Sequence, residues 1–384
     1  MIKGKAAYLN RLYLKMKFKT VDIGESISGA SPPAVFVGKW NYPKVFVGPL
    51  IPPEHGDTRM MDLPEQWIPN GKNIEDVVNF RLSLVRGKES FNVNDVNNKQ
   101  VRNMQEVALA KSSLELDAEF MGKPRGGFFN ENVQPFGPSA QLKELRLNEN
   151  PRWNLDLEKA FYDTDVRAKD AMIELYEKGV FVSTIQKALS IGGFGTERNR
   201  KLVPTRWSIT AVDDTLSLNM LENIKTYPAI DSHQVFEVKT FNNYFAILLM
   251  PTNWQYEFLE AFIGVMGNEK VLFSDWESFK GRKEYAGMGG CYYSTRLAIM
   301  EKLEDMKVQA GALVFRESYP GYMPTGVWLV RESVREALRN KPSVFSDVRS
   351  ALNYISGKLR LPFSRYREKS VLLRQSLLTQ FLMR

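Results

Sequence analysis

Cysteine occurs once in these 384 residues, at Cys291, and histidine only twice, at His55 and His233. One thiol excludes an intramolecular disulfide and any CxxC zinc site, and it fits a reducing, cytoplasmic setting. Two imidazoles leave a Cys291 nucleophile short of a base, so Cys291 reads as a small apolar residue inside the fold. Long apolar runs are missing as well. The longest, Tyr244 to Met250, is far below the roughly twenty residues that a membrane helix needs. The start shows no secretory apolar region or cleavage site, and its Lys-rich, Ser-free opening argues against a transit peptide. No internal repeat or low-complexity tract is visible.

Acidic residues are absent from residues 1–19, which carry +6, and residues 358–384 also carry +6 with Glu368 as their one acid. The whole chain is +8, so residues 20–357 sum to −4. Basic ends on a mildly acidic body favour a polyanion through phosphate neutralisation and counterion release. At the N-terminus, solubility explains the charge equally well. Hydrophobic content of 43% and aromatic content of 12% belong to a folded globular protein with the length for two domains and a tail.

Periodicity then gives an outline. Residues 2–19 have the spacing of a basic amphipathic helix. Ala34 to Val37 and Val45 to Val47 read as β-branched strands joined by Trp40-Asn41-Tyr42-Pro43. Asn73, with Asp76 three residues on, starts a helix. Leu114, Leu116, Ala118 and Phe120 alternate with Glu115, Asp117 and Glu119, as in a half-buried strand whose acidic face is wet. Ser183 and Gln186 have capping-box spacing. Trp207 to Val212 alternates as a strand, and Asp213 or Asp214 would cap the helix that follows. Residues 235–250 read as a hairpin, 254–266 as an apolar helix, and Ala312 to Phe315 and Val327 to Val330 as strands. The expected fold is α+β: mixed sheets with packed helices, a domain over residues 1–270, a smaller one over 271–357, and a flexible basic tail over 358–384.

Two stretches carry candidate chemistry. Gly192, Gly193 and Gly195 allow close approach of a ligand to the backbone. Arg198, Arg200, Lys201 and Arg206 supply phosphate-binding cations beside them, and Trp207 a ring on which a base can stack. The alternative is a helix C-cap followed by a solvated loop. The other stretch is Glu237-Val238-Lys239. Metal-dependent nucleases commonly combine an Asp with a downstream Glu-x-Lys to hold a metal and activate water. Asp213 or Asp214 would be that Asp, although Glu and Lys two apart also suit any exposed strand face. No cofactor is expected otherwise, and a divalent metal ion only for a nuclease.

The last line is Gln375-Ser376-Leu377-Leu378-Thr379-Gln380-Phe381-Leu382-Met383-Arg384. At three residues per turn, Gln375, Leu378 and Phe381 share an edge, and Leu382 extends its apolar end. This spacing resembles the motif by which replication and repair proteins bind the PCNA sliding clamp, a short helical anchor in an apolar groove. Leu382 departs from the double-aromatic ending.

The whole chain resembles the archaeal Nre family of DNA-repair proteins. The resemblance rests on Val45-Phe46-Val47-Gly48-Pro49, Gln134 through Ala140, Gly192 through Asp214, Tyr285 through Tyr293, Tyr319-Pro320-Gly321-Tyr322 and the tail at Gln375. It implies N-terminal and C-terminal Nre regions, action in DNA-damage repair, and clamp contacts at Gln375, Leu378, Phe381 and Leu382. Some members carry an N-terminal Cys-rich, zinc-finger-like element. This chain has none, so no structural zinc is inferred, and the resemblance supplies no catalytic set. The expected function is a DNA-binding repair factor recruited to the clamp. The alternative is a metal-dependent nuclease, or a related DNA-processing enzyme, placed by the clamp.

Overall fold

The computed structural model describes residues 8, 12, 21–126, 128–130, 133–265 and 270–375. They form a mixed α+β protein with two six-stranded sheets. The chain divides into two compact units, one of Met16–Leu216 and one of Ser217–Arg384, to which Tyr8 also belongs.

The first unit contains β1 (Ser26–Ser31), β2 (Val35–Val37), β3 (Lys44–Ile51), α1 (Ile74–Ser83), β4 (Val85–Asn92), α2 (Lys99–Leu109) and β5 (Leu114–Phe120). A small ribbon, β6 (Phe128–Asn130) and β7 (Val133–Phe136), precedes β8 (Ser139–Leu147). Then come α3 (Leu155–Tyr162), α4 (Ala168–Glu177), α5 (Val182–Ser190) and the start of α6 (Thr205–Ile224). The sheet order is β1-β5-β8-β4-β3-β2, and β4–β8 is its parallel pair. The alternation in β5 sends Leu114, Leu116, Ala118 and Phe120 into a core with Val45, Val47, Val101 and Met104. Glu115 faces outward, 2.8 Å from His55. At α1 the Asn73 side chain accepts from Glu75 and Asp76 while Asp76 accepts from the Asn73 amide, a reciprocal cap as expected.

The second unit contains β9 (His233–Thr240), β10 (Asn243–Met250), β11 (Gln255–Ile263), β12 (Lys270–Glu277), α7 (Gly290–Met306) and β13 (Gly311–Ser318). It ends in α8 (Trp328–Arg339), β14 (Ser343–Phe345), α9 (Val348–Ser356) and α10 (Phe363–Lys369). The order is β12-β11-β13-β10-β9-β14, with β11–β13 the parallel pair. All of β10 is buried. Tyr244, Ala246 and Leu248 pack with Ala351 and Ile355 of α9 and Tyr366 of α10, and Phe245, Ile247 and Leu249 are buried on the opposite face.

Several local expectations give way. The apolar run 254–266 suggests a helix, but Gln255–Ile263 is strand β11, buried on both faces. A short apolar run covered on both sides has no alternation to separate strand from helix. Trp207 to Val212 is helical, inside the 20-residue α6, so Asp213 and Asp214 lie mid-helix rather than at a cap. Val327 to Val330 opens α8 and is not a strand. Ser183 and Gln186 form no capping box. Instead the Ser183 amide and hydroxyl donate to Glu65, at 2.8 and 2.7 Å, so a carboxylate 118 residues away serves the first turn of α5.

The second unit buries many charges. Glu277 accepts from Trp254 Nε1 (3.0 Å), the Tyr292 hydroxyl (3.0 Å) and Arg296 Nη1 (2.8 Å). Glu317 accepts from the amides of Arg360 and Leu361, both at 2.8 Å, and from the Tyr366 hydroxyl. Glu257 accepts from the amides of Val371 and Leu372, both at 2.9 Å. Of the basic stretch 358–384, residues up to Gln375 are therefore folded onto this sheet, with Leu361, Tyr366, Leu372 and Leu373 buried. The two compact units part inside α6, between Leu216 and Ser217.

Candidate nucleic-acid interface

The glycine loop after α5 is packed into its own unit. Gly192 and Gly195 have φ of +70° and +108°, conformations that favour glycine. A Cβ on Gly192 would come 2.8 Å from Val96 Cγ1, and one on Gly193 would come 2.9 Å from the Ala188 carbonyl. All three glycines are buried. Their small size serves the helix C-terminus and the core, not an open ligand cradle. Arg200 is also committed inward. Its Nε donates to the Gly195 carbonyl (2.7 Å) and its Nη2 to the Asp163 carbonyl (2.8 Å), with the guanidinium 5.3 Å from the Phe161 ring. Burial holds that guanidinium below its ordinary pKa. Arg198 and Lys201, by contrast, are exposed.

Arg206 and Trp207 stand exposed in the first turn of α6, and there the structure adds residues that the sequence did not single out. The β2–β3 hairpin turns through Asn41 at φ +66°, with the Lys44 amide donating to the Asn41 carbonyl (2.8 Å). Its tip presents Trp40, 68% exposed, and Tyr42, 50% exposed. Tyr42 lies against Trp207, itself 46% exposed, with ring centroids 5.1 Å apart and planes at 52°. Lys39 Nζ is 4.8 Å from the Trp40 ring. The Val37 amide donates to Thr205 Oγ1 at 3.0 Å, tying the hairpin to the start of α6. Three exposed aromatic rings sit among Lys39, Lys44 and Arg206. Rings of this kind stack unpaired bases of any sequence, and the cations neutralise the backbone. Trp40-Asn41-Tyr42-Pro43 was visible in the sequence only as a connection. Its partner Trp207 is 165 residues away from Tyr42, so no local signal joins them.

The carboxylates proposed for catalysis are divided between the units. Asp213 is fully buried on α6 and accepts from Gln186 Nε2 at 2.9 Å, and Asp214 follows it on the same helix. Glu237 and Lys239 belong to β9 in the second unit. Glu237 accepts from the Tyr244 hydroxyl (2.7 Å), the Tyr354 hydroxyl (3.0 Å) and Lys358 Nζ. Burial pulls its pKa upward, but these hydrogen bonds outweigh it and hold the carboxyl below its ordinary value. Lys239 Nζ is 5.8 Å from the Tyr244 ring. Among the described residues no three His, Cys, Asp or Glu side chains group so as to hold a metal. The Cys291 thiol, in the first turn of α7, is pushed up to about 12 by burial and then by Glu260, against the pull of Arg316. Gln375 is exposed at the end of a helical turn, its amide donating to the Val371 carbonyl at 3.1 Å. Leu378, Phe381 and Leu382 lie outside the described residues. No described helix is long and apolar enough to cross a membrane.

Comparison with known proteins matches two family models in tandem. The N-terminal model of archaeal Nre matches residues 3–265 and the C-terminal model residues 277–383, which part near residue 270. The DNA repair protein NreB of Archaeoglobus fulgidus is 43% identical over 363 residues, covering 92% of this chain and 91% of the relative. NreA of the same organism, also named a DNA repair protein, is 36% identical over 89% of this chain and 87% of its own. NreA of Haloferax volcanii, named likewise, is 32% identical over 93% of this chain and 88% of its own. No solved structure matches. Tandem matches that run almost end to end, with relatives aligned over nearly their whole length, place this chain in the archaeal Nre family.

Proposed function

We propose that this chain is a DNA-repair factor that binds DNA through the aromatic hairpin and is brought to the PCNA sliding clamp by its C-terminal motif. The observation that carries the DNA-binding part is the exposed cluster of Trp40, Tyr42 and Trp207 among Lys39, Lys44 and Arg206. Solvent-facing aromatic rings lose apolar hydration when a base stacks on them, and unpaired bases offer both faces for this. The relatives named as DNA repair proteins support the process. The clamp part rests on the spacing of Gln375, Leu378, Phe381 and Leu382.

Titrating a labelled single-stranded oligonucleotide into the wild type and into a Trp40→Ala/Tyr42→Ala variant tests the hairpin. Weaker binding in a variant of unchanged melting temperature supports it, and equal affinity removes it. The nuclease alternative requires Glu237 to exchange Tyr244, Tyr354 and Lys358 for a metal. Incubating damaged and undamaged DNA with the protein, with and without Mg²⁺ or Mn²⁺, tests that alternative directly.

A further inference from the structure

A cavity of about 730 Å³ opens in the first unit between the end of α2, the segment that follows β8, and α3. It shares no residue with the hairpin platform. Its wall is aromatic: Trp153 and Tyr162 lie 6.3 Å apart with planes within 17° of parallel. Phe161 stands edge-on to both, at 5.0 and 5.4 Å. Arg200 braces the wall through its contact with Phe161 and its bonds to the carbonyls of Asp163 and Ala160. Tyr162 is 69% exposed and Leu155 71% exposed, so the apolar lining faces solvent. Beside it stand carboxylates, Glu158 and Glu106, of which Glu106 accepts from Trp153 Nε1 at 2.5 Å. Lys111 and Arg152, both exposed, also line the opening.

Two chemistries meet in this lining. Electron-rich rings with carboxylates at their side favour a planar cation over a neutral ring of equal size. Lys111 and Arg152 repel a basic peptide but suit a phosphate. One ligand answers both, a nucleotide whose base carries positive charge, and the volume lies within the range of small-ligand pockets. We infer that this cavity receives an N-alkylated, positively charged purine extruded from a DNA strand. Tyr162 and Trp153 present the stacking surface, Glu158 and Glu106 the counter-charge, and Lys111 and Arg152 hold the flanking phosphates. The inference rests on the reading of the chain as a DNA-repair factor.

Free nucleosides separate this site from the hairpin. Full-length protein is titrated by calorimetry with N7-methylguanosine, in mildly acidic buffer where its base is cationic, and with guanosine. The methylated nucleoside should bind at least about fivefold tighter. Tyr162→Ala, at an exposed position, should weaken its binding about tenfold, and Glu158→Gln, which removes one of the lining carboxylates, should narrow the preference over guanosine. Trp40→Ala should weaken binding of single strands without changing the ratio of the two nucleoside affinities, which the cavity carboxylates set, so either site can fail alone. Equal binding of the two nucleosides overturns the inference. So does tighter binding of a lysine-rich peptide that Tyr162→Ala weakens, because the cavity would then be a protein-docking site.

Discussion

The two units are built alike, but the first exposes more of its large aromatic rings and the second buries more charged side chains. Each has a six-stranded mixed sheet with one parallel pair. The first turns Trp40, Tyr42, Trp207 and Tyr162 outward. The second encloses Trp254, Tyr256 and Tyr292, and with them Glu257, Glu277, Arg296, Arg316 and Glu317. A buried ion pair contributes little net stability against an apolar replacement, but breaking one partner leaves a charge that water cannot reach. The second unit's polar residues are thus held in place by one another, whereas the first unit's aromatic rings keep a face open to a ligand. Solvent-facing rings in the first unit, rather than carboxylates in the second, are therefore the better guide to recognition.

The largest expected effect breaks the buried side of this comparison. Glu277→Ala removes the carboxylate that faces the buried Arg296 guanidinium and the acceptor shared by Trp254 Nε1 and the Tyr292 hydroxyl. Loss of about 3–5 kcal/mol is expected, read by urea unfolding. Single-stranded DNA affinity, measured in the fraction that remains folded, should not change. A variant as stable as the wild type would mean that the buried network does not hold the second unit together.

Next in size is the tail. Phe381→Ala with Leu382→Ala should weaken binding to the organism's own clamp by at least about tenfold, since each buried apolar side chain contributes about 1.5–3 kcal/mol before ordering costs. Because residues up to Gln375 are folded, the matched deletion starts at Ser376 and should leave the melting temperature nearly unchanged. A large drop in melting temperature would assign these side chains to the fold. On the exposed side, Trp40→Ala with Trp207→Ala should cost single-stranded DNA binding about 1–3 kcal/mol per lost stack, with little change in stability. Arg198→Ala with Lys201→Ala should do less. Affinity should fall modestly, and the slope of log affinity against log salt should flatten by about one to two. Arg200 is left out of that variant because its hydrogen bonds to Gly195 and Asp163 make it part of the loop's structure.

What the sequence made legible was local. The Asn73–Asp76 cap, the alternation in β5 and the β9–β10 hairpin each fit within a few residues, where capping chemistry and period two act directly. Fully buried elements were not legible in the same way. Gln255–Ile263 lost its alternation because both faces are covered, and the first turns of α6 showed an accidental one. The interface was half legible. Trp207 and Arg206 stood out as residue types, but Tyr42, the partner of Trp207, reaches it only through tertiary contact. The glycines misled because three of them beside cations resemble a ligand cradle, while their use here depends on Val96 and Ala188, residues far off or unremarkable in the sequence.

The smallest expected effect sharpens the comparison at Glu237, the one candidate catalytic carboxylate of the second unit. Its carboxyl is held below the ordinary value because hydrogen bonds from Lys358, Tyr244 and Tyr354 favour the charged form more than burial opposes it. A folded-state pKa below the unfolded one means that the unfolded chain takes up its proton first as pH falls. The stabilisation is therefore complete above the ordinary value of 4.5 and is lost as pH drops through the lower folded value. Glu237→Gln keeps an acceptor for the two tyrosines but removes the charge facing Lys358. It should lower the melting temperature slightly at neutral pH and flatten the acid limb of the stability curve, and the two proteins should converge in acid. A catalytic Glu237 predicts a different pattern: metal-dependent cleavage by the wild type that vanishes in the variant, with no requirement that the acid limb change. The paired measurement, melting against pH and strand integrity with Mg²⁺, decides whether this carboxylate belongs to the second unit's internal network or to a reaction on DNA.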